Sequence, residues 1–496
     1  MSASPVTTTI PQPSRTNPFF ERSSLAFGAP PFDRLQDEDY QPAIEEGMRR
    51  QIAEVEAIAR DADAPTFDNT IVALERSGEL LTRVLKAFGA VTSANTNDTL
   101  QAVQTEEAPK LAAHSDAIFL NDALFQRVRQ IYVDRERLGL TAEQKFVVER
   151  YHLDFVRAGA ELSDADKTRL RALNQEESKL TADFQNRLLA ATKAGALVFD
   201  DPSALEGLSD ADIAAAAEAA AERDLAGKWV LRLQNTTQQP VLESLRQRSV
   251  RQRVFEASIH RADRGDSVDT RALVQRLAQI RAERARLLGY ATTAAFALDD
   301  QMAKTPEAAI GLLTEIAVPV VERVRAEASR MQTQIDRDGG GFRIEPWDWQ
   351  YYSEQVRKAE YDLDESQLKP YFELNRVLND GVFFAANQLY GLTFTPRDDI
   401  PVYHPDVRVY EVFDEDGSSL ALFYTDHFKR DNKVGGAWMD TFADQSFLLG
   451  MKPIVYNVAN FTRPATGQPA LLSFDEVTTL FHEFGHALHA MCSHVE

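Results

Sequence analysis

The chain reads as a mainly α-helical protein of two or more lobes, with a small β-sheet placed just ahead of a helix that closes the sequence. Three observations predict this. Helix-start signals and 3.6-residue apolar periodicity dominate to about residue 335. The glycine run Gly339-Gly340-Gly341 then interrupts the pattern as a hinge or loop. Beyond it, β-branched and aromatic residues recur at strand spacing. At 496 residues the chain exceeds what one hydrophobic core organises, and 44% apolar residues suffice to fill more than one.

The first twenty residues, rich in Ser, Thr and Pro, lack the apolar core of a secretory leader and are expected to form a flexible tail. Thr141 with Gln144 makes a capping box for a helix carrying Phe146, Val147 and Tyr151. After Ser163, the spacing of Leu170, Leu173, Leu180, Phe184 and Leu188 predicts a long amphipathic helix. Ile213 to Ala221 is alanine-rich and reads as a surface helix. Thr305 followed by Pro306 starts another helix, because proline suits the first helical position. Its segment Ile310 to Val321 is the nearest approach to a membrane span, and Glu315 and Pro319 break it. Further on, Val407 to Asp414 and Leu420 to Tyr424 flank the turn signal Asp416-Gly417, which predicts a hairpin, and Val455 to Phe461 predicts another strand. An extended peptide is expected to add to the edge of this sheet.

Charge excludes some partners. The 76 acidic and 54 basic side chains give a net charge of −22, which repels nucleic acid and anionic lipid. A single cysteine rules out an internal disulfide framework and fits a reducing compartment; with neither a secretory leader nor a membrane span legible in the sequence, the cytoplasm is the default address, and a monomer is expected.

The chemistry is concentrated in Phe481-His482-Glu483-Phe484-Gly485-His486. Ser473 and Glu476 form a capping box that starts a helix near Phe474, and Val477, Leu480, Phe481, Phe484 and Leu488 mark its apolar side. Histidines four apart on a helix project one turn apart from one face, so His482 and His486 can reach one metal ion while Glu483 addresses a water bound to it. That is the arrangement of a zinc-dependent peptidase. His489 shares the face, but three successive turns place the outer imidazoles about 10 Å apart, too far to surround one ion. A metzincin-type third histidine would fall where Cys492 stands. His494 and Glu496 complete no ligand set, and the chain reads as cut short after the motif helix.

The segments YHPDVRVYEVFD, DNKVGGAWMD, YNVANF and FHEFGHALH, between Tyr403 and His489, resemble the M3 family of zinc metallopeptidases, the thimet oligopeptidase and oligopeptidase A family. Upstream, NPFF, GAPPFD, PTFDNTIVALERSG, NTTQQP from Asn235 to Pro240, and WDWQYY from Trp347 to Tyr352 resemble its bacterial peptidyl-dipeptidase branch. The resemblance implies an elongated, two-lobed helical molecule with a deep substrate channel. It implies one zinc ion per chain, held by His482 and His486, with Glu483 activating water. The family's third ligand is a glutamate roughly 25 residues after the second histidine, near position 511, so the ligand set is incomplete within these residues. The expected organisation is a tail over 1–20, an N-terminal helical lobe over 21–240 and a zinc metallopeptidase catalytic domain over 241–496, incomplete at its C-terminus.

Three functions are carried forward. They are release of C-terminal dipeptides from short peptides, endo-acting cleavage by an oligopeptidase of the same family, and a truncated, non-catalytic peptide-binding helical protein. Of the remaining residues, Trp347, Trp349, Tyr351 and Tyr352 read as core packing, and Cys492 as structural. Gly435-Gly436 fits either a plain turn or close approach of a peptide backbone, while His404 and His427 are open as supports of the metal ligands or as substrate contacts.

Overall fold

A computed structural model describes residues 15–234, 239–361 and 365–496. The tail up to residue 14, and positions 235–238 of the Asn235 to Pro240 segment, lie outside the described residues.

Local signals set most helix starts. Thr141 Oγ1 accepts from the Gln144 amide and the Gln144 side chain returns the bond, opening helix Ala142–Ala158. Ser163 caps Asp164–Ala194, Ser209 caps Asp210–Ala221, and Thr305 caps Pro306–Arg337. In each the oxygen satisfies an amide that the first helical turn leaves unpaired. Near the start of the described chain, helices Asp37–Arg60, Glu79–Ala94 and Asp98–Phe119 enclose a core that includes Tyr40, Ile44, Val84, Phe88 and Leu100.

Two short strands, β1 (Leu197–Phe199) and β2 (Trp229–Leu231), pair antiparallel and pack on Asp210–Ala221. The larger sheet follows residue 392. It comprises β3 (Thr393–Pro396), β4 (Arg408–Phe413), β5 (Ser419–Phe428), β6 (Trp438–Ala443) and β7 (Ile454–Phe461), in the order β3-β4-β5-β7-β6. All neighbours are antiparallel except β5 and β7. The expected hairpin is β4-β5, turning with Gly417 at φ +79°. Its two strands are both interior, so the edge strands of the sheet are β3 and β6. Sequence patterning had passed over β1, β2, β3 and β6, which are short or carry polar residues within the run.

Alternation along β5 covers both sheet faces. Ala421 and Phe423 join one core with Tyr410, Val455 and the final helix, while Leu422 and Tyr424 join another with Tyr456, Phe442, Ala90 and Ala94. The sheet therefore lies between the final helix and Glu79–Ala94, and a period of two buries a different set on each side.

Candidate functional site

The final helix spans Phe474–Met491, and its capping box is formed: Ser473 Oγ accepts from the Glu476 amide at 3.1 Å and Glu476 Oε2 accepts from the Ser473 amide at 2.9 Å. Leu480, Phe484, Ala487 and Met491 are buried at helical spacing against the sheet. Phe484 is the anchor, with ring centroids 5.5 Å from Phe423, 5.8 Å from Phe394 and 6.1 Å from Phe383. Phe481, expected on the buried side, is 39% exposed, because it lies at the margin of the stripe beside Gly381 rather than over the sheet.

Burying that stripe turns the motif outward. His482 and His486 are exposed and Glu483 is half-buried. The two Nε2 atoms stand 3.1 Å apart, with ring centroids 4.7 Å apart and planes at 79°. Two nitrogens each about 2.0–2.1 Å from a tetrahedral ion would be separated by about 3.3 Å, so the imidazoles already stand at the spacing of a shared metal. A neutral imidazole offers one lone pair, and both lone pairs can be aimed at the same point. The donor set fits a zinc-like cation.

Beneath the motif, Asn457 of β7 donates from Nδ2 to the Glu483 carbonyl at 2.9 Å. It is 3% exposed, and its Oδ1 has no partner among the described residues. This bond ties the motif turn to the strand below it. The only sequence signal for Asn457 was a polar residue inside the otherwise buried YNVANF run.

The other candidates lie elsewhere. His494 packs edge-on against Phe447 at 4.7 Å, and Glu496 is bonded to Glu143 and Gln144. Cys492 caps the helix end, and burial pushes its thiol up. Among the described residues, the one group of three converging ligand side chains is Glu45, Glu106 and Glu107, bridged by Lys110; none joins His482 and His486.

Between Tyr403 and Arg463 the chain builds a buried ionic hub. Asp426 is 1% exposed and accepts from Arg430, from Lys433 Nζ at 2.9 Å and from Tyr403 OH at 2.8 Å. Burial raises its carboxyl, but the Arg430 and Lys433 bonds and charges outweigh that and hold it below the usual range. Arg430 also donates to the Ala94 carbonyl at 2.6 Å, and the Val434 amide donates to the Ser93 carbonyl, so the hub clamps the end of Glu79–Ala94 to the sheet. His404 lies beside Asp406; burial and then the Arg430 charge lower it to about 4. His427 stacks on Phe461, and burial lowers it to about 3. His404 borders this hub through Asp406, while His427 Nε2 is buried with no hydrogen-bond partner among the described residues.

Asn460 Nδ2 donates to the Val434 and Gly436 carbonyls, holding the Gly435-Gly436 turn against β7, with Gly436 at φ +96°. The Trp347 to Tyr352 segment packs as expected: Asp348, fully buried, is paired with Arg248 and Arg251, and Arg251 lies 4.3 Å over the Tyr351 ring.

The sequence model of peptidase family M3 matches residues 241–496. The chain is 52% identical over 475 residues to a dipeptidyl carboxypeptidase of Escherichia coli (strain K12), covering 96% of this chain and 70% of that protein. The Salmonella typhimurium dipeptidyl carboxypeptidase is 52% identical over 476 residues, again covering 96% and 70%. Oligopeptidase A of Escherichia coli is 30% identical over 488 residues, covering 97% of this chain and 71% of the relative. No helix among the described residues is long and apolar enough to cross a membrane.

Proposed function

The chain belongs to peptidase family M3, a peptide-hydrolysing metalloenzyme, and on that premise we propose that it releases dipeptides from the free C-termini of short peptides using one zinc ion. The observation that carries this reading is the pair of imidazole Nε2 atoms 3.1 Å apart on a chain 52% identical to dipeptidyl carboxypeptidases. His482 and His486 hold the ion, and the 241–496 region is the catalytic domain. A deep channel admits the peptide, and the cytoplasm is the site of action.

When bound, zinc supplies Lewis-acid polarisation that brings a water toward a pKa of about 7 and offsets charge growing on the carbonyl oxygen. The chain's own part is proton transfer and positioning. Glu483, one residue from His482 and half-buried, takes a proton from the water as its oxygen bonds to the scissile carbonyl carbon. It returns that proton to the amide nitrogen as the C–N bond breaks, so the dipeptide leaves as a neutral amine and no proton is lost. Asn457 and the Phe484 anchor keep Glu483 in register while this happens.

Product analysis tests the reading. Peptides with free C-termini should yield dipeptides, and C-terminally amidated copies should resist; efficient cleavage of the amidated set would establish the endo-acting alternative instead. Metal retention without hydrolysis of either set would leave a peptide-binding protein.

A further inference from the structure

Helix Asp210–Ala221 differs from the surface helix that its alanine run suggests, because Ala216, Ala219 and Ala220 are buried and the helix packs on β2. Methyl side chains leave room beside them. Ala215, Ala216 and Ala219, with Val230 and Leu231 of β2, form the apolar walls of a cavity of about 80 Å³ that reaches the ends of β5 and β7. One enclosed water needs about 10–15 Å³, so the space suits a ligand of roughly five to eight non-hydrogen atoms.

The sheet end of the cavity carries an uncommitted cation. Lys429 follows the last residue of β5, and its amide donates to the Phe461 carbonyl at 3.1 Å. The backbone is thereby pinned to the sheet while the half-buried side chain lines the cavity. Its Nζ makes no hydrogen bond or ion pair among the described residues. Burial is the strongest influence on this ammonium and lowers it; the Glu476 and Asp212 carboxylates oppose that without coming within ion-pair distance.

The other charged side chains on the cavity are each engaged. Arg232 is paired with Glu222 and, at 3.2 Å, with Asp431, and Arg463 is paired with Asp406. Asp212 lies 3.8 Å from Lys369, and Glu218 accepts from the Thr466 amide at 2.9 Å. A half-buried ammonium without a direct partner is costly, and a carboxylate entering the cavity would supply one.

We propose that this cavity binds a short aliphatic carboxylate, its carboxyl group paired with Lys429 and its hydrocarbon chain laid against the alanine face of Asp210–Ala221. The inference stands apart from the peptidase reading, since it uses none of His482, Glu483 and His486.

Isothermal titration of the 496-residue protein with sodium pentanoate tests it. Pentanoate should bind, slowing hydrogen exchange over 210–221, while pentanol, pentylammonium and inorganic phosphate should each bind about tenfold or more weaker. Lys429→Met keeps the side-chain length and removes the charge, and Ala215→Leu fills the cavity from the helix side; both positions are half-buried. Each should weaken pentanoate about tenfold or more, with far-ultraviolet circular dichroism unchanged. Absence of pentanoate binding, equal binding of the alcohol or of phosphate, or binding that survives Lys429→Met would each overturn the proposal.

Discussion

Two helices of this protein carry the same kind of pattern and meet opposite fates. Phe474–Met491 and Pro306–Arg337 each begin at a hydroxyl cap and present an apolar stripe. The first is pressed onto the sheet through Phe484 and its aromatic neighbours, and the second is open from Ile310 to Val324. Amphipathic spacing specifies which face of a helix must be covered, but not which polypeptide covers it. On the covered helix the Glu483 carbonyl is tied to Asn457 of the sheet, and that helix carries the paired imidazoles.

The contrast can be broken by substitution. Glu483→Gln should reduce turnover about 10²- to 10⁴-fold with zinc still bound, as judged by steady-state kinetics and metal analysis; retained turnover would remove Glu483 from proton transfer. Phe484→Ala should cost about 3–5 kcal/mol in urea unfolding, because it empties a site shared by three rings. Removing Asp426 as Asp426→Ala strands the Arg430 and Lys433 charges and should cost about 3 kcal/mol, with the clamp to Ala94 loosened in hydrogen exchange.

Acid should act on the sheet side and spare the bare helix. His404 and His427, lowered to about 4 and about 3, stay neutral when folded but titrate near 6.5 when unfolded. As pH falls from about 6.5 toward 4 the unfolded chain binds more protons than the folded one, so stability drops by on the order of 1–3 kcal/mol; above 6.5 these groups change nothing. Urea titrations at stepped pH, flattened by His427→Gln, would check the sign. The smallest effect belongs to the open stripe: Leu313→Glu alone should change the stability of the chain by less than about 0.5 kcal/mol. A larger loss would show that the stripe is already partnered.

Much of the site was readable beforehand because its determinants are local. A capping box spans four residues, and an HExxH turn spans five, so Ser473, Glu476, His482, Glu483 and His486 could be placed without knowing any partner. The β4-β5 hairpin was readable for the same reason. Asn457 was not, since its bond to the Glu483 carbonyl crosses from β7 to the helix. Nor was the interior position of the hairpin, which depends on β3 and β7 flanking it in space.

By itself the sequence determined the helix starts, the motif turn, its family resemblance and the net charge of −22. The tertiary structure alone decided that Phe481 lies at the margin of the buried stripe, that Asp426 gathers Tyr403, Arg430 and Lys433, and that one amphipathic helix is covered while another is not. The reason is physical: capping and periodicity are set by residues within about two turns of one another, whereas burial is a property of surfaces brought together from distant parts of the chain.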